Sequence, residues 1–164
     1  MNTPPLPAED IDRIMEVMGL AFDPAYGEAW TRRQVSDAML MDHCHWAVIG
    51  PDGRRPAGSE PAAGFYLSRM TLDEEELLLL AVRPEMRRRG IGRQLMQYFI
   101  NSSIERGVKR ILLEMREGNP AEILYRNCGF RPIGRRPKYY AGPGGSRLDA
   151  ITFERIIHTM GSGE

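Results

Sequence analysis

The chain has 164 residues, of which 42% are apolar and 27% charged, close to the averages for globular domains. Its formal net charge of zero gives it no overall electrostatic attraction to nucleic acid or to an anionic membrane. No apolar stretch approaches the ~18 residues of a membrane span, and the first seven residues lack the features of a signal peptide. Two distant cysteines, Cys44 and Cys128, predict a reduced, cytoplasmic protein.

The N-terminal third is predicted to form two helices. Apolar residues recur at helical spacing from Ile11 to Phe22, and the segment 23–27 ends this first helix. Thr31 and Gln34 form a capping box that opens the second helix. The segments predicted next are a strand at 45–49, a turn at 51–53, a polar loop at 54–61 and a strand at 62–70.

The centre of the chain carries the strongest functional signal. The acidic segment 73–76 is interpreted as a solvated turn, and the apolar run 77–82 after it is typical of a buried strand. A basic loop containing Gly90 and Gly92 follows, and then an amphipathic helix that ends at Gly107. Because such a loop offers backbone N–H groups and a helix N-terminus to phosphate, we predict a phosphorylated cofactor at this strand end.

The spacing of the glycines argues against two nucleotide motifs. A dinucleotide-binding loop needs a third glycine where this chain has Leu95, and a P-loop needs Gly-Lys-Ser/Thr where Arg93 and Gln94 stand. The pattern present is Arg87-x-x-Gly90-x-Gly92.

The C-terminal part is predicted to hold a strand at 110–115, a helix, and two final strands at 130–134 and 150–157. Asn119 and Pro120 suit the start of that helix, and Tyr125 lies on its apolar face. The loop between the final strands would hold Tyr139 and Tyr140. The order α-α-β-β-β-α-β-α-β-β predicts an α+β fold with a mixed, mostly antiparallel sheet flanked by helices, forming one domain over 1–157 with a tail at 158–164.

The glycine motif resembles the pyrophosphate-binding motif of the GNAT acetyltransferase superfamily. Three further motifs, Ala81-Val82-x-Pro84, Leu113-Glu-x-Arg116 and Asn119-x-Ala-x-x-Leu-Tyr-x-x-x-Gly-Phe130, follow in the order of the bacterial ribosomal-protein-alanine N-acetyltransferase (RimI) family. The resemblance covers residues 76–154. It implies a GNAT fold and transfer of acetyl from acetyl-CoA, without a metal, to the N-terminal α-amine of a protein. The acceptor it implies is an alanine-first small-subunit ribosomal protein.

The resemblance also implies roles for individual residues. Glu114 would be the general base and Tyr125 the general acid. From the residues alone, Glu114 could equally be a surface carboxylate paired with Arg116, and Tyr125 a half-buried core tyrosine. The residues expected to bind acetyl-CoA are Leu80, Ala81, Val82, Arg87, Arg88, Arg89, Gly90, Ile91, Gly92, Arg93, Asn119 and Tyr125.

Three aromatic residues, Trp30, Tyr139 and Tyr140, are candidates for the groove that binds the acceptor peptide, or else ordinary core or surface aromatics. The run His43-Cys44-His45 lacks a second ligand pair, so we predict no metal site there. Two other functions remain open: a GNAT enzyme acting on a small amine or a lysine, and a non-catalytic module that binds acetyl-CoA. We expect no direct contact with nucleic acid or membrane.

Overall fold

The predicted order of elements is confirmed in a computed structural model, which describes residues 7–158. The helices are α1 (Pro7–Ala21), α2 (Arg32–Met39), α3 (Ile91–Glu105) and α4 (Glu122–Asn127). The strands are β1 (Cys44–Ile49), β2 (Gly64–Thr71), β3 (Glu74–Val82), β4 (Arg110–Arg116), β5 (Arg131–Ala141) and β6 (Arg147–Ile156). Of the predicted C-terminal tail, only His158 lies among the described residues, and residues 1–6 lie outside them.

The six strands form one sheet in the order β1-β2-β3-β4-β6-β5. Only the central pair among the described strands, β3 and β4, is parallel, because α3 carries the chain across the sheet between them. The other neighbours are antiparallel. The predicted α+β class with a mixed, mostly antiparallel sheet is therefore confirmed. No helix in residues 7–158 is long and apolar enough to cross a membrane.

Hydrophobic side chains pack on both faces of the sheet. On one face, Leu95 and Phe99 of α3 pack with Ile111 of β4 in a core that also includes Tyr125 of α4. On the other face, α1 and α2 pack against β2 and β3. The predicted capping box at the start of α2 is present, since Thr31 and Gln34 each bond the other's backbone N–H.

The two central strands diverge at one end, and this positions the site. Their pairing stops at Leu77 and Leu113, although β3 runs on to Val82 and β4 to Arg116. The register between β2 and β3 shifts at the same level, where Leu67 pairs with Leu79 while the next residue of β2 pairs with Leu77. An irregularity of this kind bends a strand. Beyond it, β3 and β4 are neighbours without being hydrogen-bonded, and a cleft opens between them.

Two predictions about the sheet were wrong. The acidic segment does not form a solvated turn throughout, because β3 begins at Glu74 and Glu75 is fully buried. Its carboxylate accepts hydrogen bonds from Ser103 of α3 at 2.8 Å and from Arg106 at 2.6 Å, which compensates for the loss of water. Tyr139 and Tyr140 belong to β5 rather than to a loop, because pairing with β6 continues to Ala141.

Candidate active site

The cleft between the diverging strands opens into a cavity of about 860 Å³, within the usual range for sites that bind small molecules. Its walls come from five places in the sequence. They are the C-terminal end of α1 with the segment after it, the last residues of β3, the loop and first turn of α3, the end of β4, and α4 with the residues before it. The cavity therefore lies where the start of a helix meets the ends of two strands.

The loop before α3 has the backbone geometry expected of an anion site. Arg88 and Gly90 have positive φ angles of 64° and 80°, and Gly90 is the N-cap of α3. The first N–H groups of a helix have no partner within it and carry partial positive charge. Because Arg88, Gly90 and the first residues of α3 line the cavity, these donors lie where a phosphate could reach them.

Most of the residues predicted to bind acetyl-CoA line this one cavity: Leu80, Ala81, Val82, Arg87, Arg88, Gly90, Ile91, Gly92, Arg93, Asn119 and Tyr125. Arg89 is not among the lining residues, and its guanidinium approaches the sulfur of Met86 at 3.6 Å. Asn119 also has a structural role, since its side-chain oxygen accepts a hydrogen bond from the N–H of Ala121 at 2.9 Å. This bond supports the turn that leads into α4.

Tyr125 projects from α4 into the wall of the cavity. It is 7% exposed, and its ring meets that of Phe130 edge-on at 6.3 Å. Burial raises the pKa of Tyr125 well above its ordinary value, and the negative charge of Glu28 raises it further. The hydroxyl therefore stays protonated at any physiological pH and is available as a proton donor.

Glu114 lies on the face of β4 that the strand alternation predicts, opposite the buried Ile111 and Met115. Its ionic partner is not Arg116, as the surface interpretation had it, but Arg136 of β5, with 3.4 Å between Oε2 and Nε. Glu114 does not line the cavity itself. It lies near Tyr140, whose pKa is raised to about 12 by burial first and by the charge of Glu114 second.

Three charged residues that line the cavity were missed at the level of the sequence: Asp23, Glu28 and Arg116. The last two form an ion pair. Their side chains are 16% and 14% exposed, with 2.5 Å between Glu28 Oε1 and Arg116 Nε. The guanidinium of Arg116 also lies over the ring of Tyr26, 3.6 Å from its centre. Glu28 follows a short helical turn in an irregular segment, so neither periodicity nor a motif marks it. Arg116 stood inside a recognised motif, which was the only available signal.

The three aromatic candidates for the acceptor groove are placed differently from one another. Trp30 packs partly against the core beneath α1 and α2. Tyr139 is 51% exposed, and its ring meets that of Tyr140 edge-on at 5.2 Å. The charges of Glu114 and Glu28 both contribute to the raised pKa of Tyr140. Within the described part of the chain, no three His, Cys, Asp or Glu residues are grouped as a metal ion would require.

Comparisons with known proteins agree on the family. Residues 42–132 match the family described as "Acetyltransferase (GNAT) domain". The [ribosomal protein bS18]-alanine N-acetyltransferase of Escherichia coli is 40% identical over 90 residues, 54% of this chain and 60% of that protein. A Bacillus subtilis protein, provisionally given the same name, is 29% identical over 85% of this chain and 87% of its own length.

The fold agrees with the same family. The crystal structure of the ribosomal-protein-S18-alanine N-acetyltransferase from Escherichia coli superimposes with a TM-score of 0.79 at 27% identity. The superposition covers 100% of this chain and 99% of that one. The match to the family spans more than half of the 164 residues and includes β3, the glycine loop and α4. This chain belongs to the GNAT acetyltransferase family, whose enzymes take their acetyl group from acetyl-CoA.

Proposed function

We propose that this protein transfers acetyl from acetyl-CoA to the N-terminal α-amine of a protein, with an alanine-first small-subunit ribosomal protein as the acceptor. One observation carries the proposal: a single cavity has a phosphate-type loop at one end and a buried, protonated Tyr125 in its wall. The names of the Escherichia coli and Bacillus subtilis relatives support the choice of acceptor.

The coenzyme would bind along the cavity. Backbone N–H groups from Arg88 to Arg93 would hold the pyrophosphate at the start of α3. Beyond Leu77, the edge of β3 that faces β4 is unpaired, so its backbone can bond the amides of the pantetheine arm. An N–H group near Leu80 to Val82 would polarise the thioester carbonyl. This arrangement brings the acetyl group to the part of the cavity that Tyr125 lines.

The chemistry would then need a base that deprotonates the α-ammonium group and an acid that protonates the leaving sulfur. An α-amine has a pKa near ~7.7–8, so a carboxylate can deprotonate it with modest help. We assign this role to Glu114, acting through a water molecule because it does not line the cavity itself. The neutral amine attacks the thioester directly in a ternary complex, and Tyr125 protonates the departing thiolate. No covalent enzyme intermediate is needed.

Two alternatives make different predictions about the acceptor. A GNAT enzyme for small amines or lysines would acetylate internal lysines of a peptide whose N-terminus is blocked. A non-catalytic acetyl-CoA-binding module would bind the coenzyme and acetylate nothing. The place of the Tyr125 side chain in the cavity wall favours an enzyme over a passive module, because coenzyme binding alone needs no proton donor.

The test is mass spectrometry of synthetic peptides after incubation with acetyl-CoA. The set contains an alanine-first peptide, the same sequence with other first residues, and an N-terminally blocked version with internal lysines. We expect acetylation of the α-amine of the alanine-first peptide and little reaction of the blocked one. Equal acetylation of the blocked peptide would contradict the α-amine assignment. Coenzyme binding without acetylation of any peptide would contradict the enzymatic one.

A further inference from the structure

The acceptor nitrogen must lose two protons during the proposed reaction, and a single general base accounts for one of them. An α-ammonium group has three N–H bonds, whereas the amide product of a primary amine has one. The first proton leaves before attack, when the ammonium becomes an amine. The second leaves as the C–N bond forms and the C–S bond breaks. Tyr125 supplies a proton to the sulfur and must itself be reprotonated.

We propose that Glu28 is the second catalytic base, which accepts the proton that the acceptor nitrogen loses as the C–N bond forms. This inference rests on the function proposed above. Glu28 then returns the proton to the Tyr125 phenolate left when the hydroxyl protonates the coenzyme sulfur. One proton thereby passes from nitrogen to sulfur through two side chains, and the other leaves through Glu114.

The position of Glu28 supports this role. Glu28 and Tyr125 both line the cavity, whereas Glu114 does not. The charge of Glu28 contributes to the raised pKa of Tyr125 on α4 and of Tyr140 on β5. Glu28 is thus a carboxylate that lines the same cavity as the proposed proton donor.

Its environment supports the role as well. Burial raises the pKa of Glu28 above its ordinary value, and the nearby guanidinium of Arg116 opposes that rise. A carboxylate with a raised pKa is the stronger base once it is ionised. Arg116 is itself fixed over the ring of Tyr26 at 3.6 Å, and its Nε meets Glu28 Oε1 at 2.5 Å. Arg116 is therefore a positioning residue, which orients the carboxylate and favours its ionised form.

Glu28→Gln tests the proposal directly. We expect turnover of an alanine-first peptide at pH 7 to fall about 10²-fold, with the KM for acetyl-CoA unchanged. Glu76→Gln is the matched control, since Glu76 also pairs with an arginine, Arg69 at 3.3 Å, but lies outside the cavity. Acetyl-CoA binding and thermal unfolding of both variants establish that they fold.

The pH profile separates a base from a structural residue. In the wild type, kcat falls as the pH drops through the pKa of Glu28, because the protonated carboxyl cannot accept a proton. Arg116→Met removes the positive charge that opposes the raised pKa, so this acidic limb should move to higher pH. Arg116→Lys keeps the positive charge, so the acidic limb of this variant should lie close to that of the wild type.

The results that would contradict the role of Glu28 differ from the result that would contradict the proposed function. A wild-type protein that acetylates no peptide contradicts the function itself. If the wild type is active and Glu28→Gln keeps its kcat and pH profile, the assignment of Glu28 is overturned. A raised KM for the peptide with unchanged kcat also overturns it, because Glu28 would then bind the acceptor without taking its proton.

Discussion

Replacement of Tyr125 by phenylalanine removes one hydroxyl group and keeps the packing of the ring. Tyr125 is 7% exposed and its ring packs on Phe130, contacts that phenylalanine keeps. A substitution that conserves shape in this way costs less than about 1.5 kcal/mol of folding stability. If the hydroxyl is the proton donor, turnover should fall about 10²-fold, which corresponds to about 2.7 kcal/mol in the barrier.

The raised pKa of Tyr125 adds a second signature to this variant. Because the hydroxyl stays protonated throughout the working range, the ratio of wild-type to variant turnover should be constant from pH 6 to pH 9. Steady-state acetylation of an alanine-first peptide measures this ratio, and calorimetry shows whether acetyl-CoA affinity is retained. Tyr98→Phe is the control, since Tyr98 is 56% exposed on α3 and lies outside the cavity. Unchanged turnover in Tyr125→Phe would refute the role of proton donor and leave Tyr125 a core residue.

Three further predictions concern the rest of the site and its support. Glu114→Gln should lower turnover at pH 7 and recover part of it at pH 9, because the neutral fraction of the α-amine rises from about 14% to about 94%; wild-type rates at pH 7 would make Glu114 an ion-pair partner only. Gly92→Leu should weaken acetyl-CoA binding about tenfold in calorimetry, because its Cβ would lie 3.3 Å from Leu124, in the cavity wall. Gly19→Leu is the control, and it should leave binding unchanged because the space around Gly19 is open. Glu75→Gln should cost about 3 kcal/mol in urea unfolding, because Arg106 loses its buried partner; a loss under about 1 kcal/mol would contradict this.

Much of the fold could be predicted because its signals are local. Helical spacing in α1, the capping box of α2, and the apolar run of β3 each depend on residues close together in sequence. The glycine loop is local as well. The positive φ of 80° at Gly90 is a conformation that glycine adopts without steric cost, whatever packs around it. The order of elements and the fold class followed from these signals.

Pairings between distant segments could not be predicted in the same way. The burial of Glu75 depends on Ser103 and Arg106, which approach it only when α3 packs on the sheet. The length of β5 depends on hydrogen bonding to β6, and its exposed residues show no apolar alternation. In both places the local pattern indicated a solvent-exposed turn or loop. Contacts with segments distant in the sequence instead made these residues part of a strand.

The sequence by itself determined which residues form the glycine loop before α3 and that Tyr125 lies on the apolar face of a helix, because spacing along one element places them. Only the tertiary structure decided the partners of the charged groups. It paired Glu114 with Arg136 and Arg116 with Glu28, residues 22 and 88 positions apart in the sequence. It also opened the cleft where β3 and β4 diverge beyond Leu77. The physical reason is that a pKa or a cavity depends on distances between elements, which the sequence sets only through the complete fold.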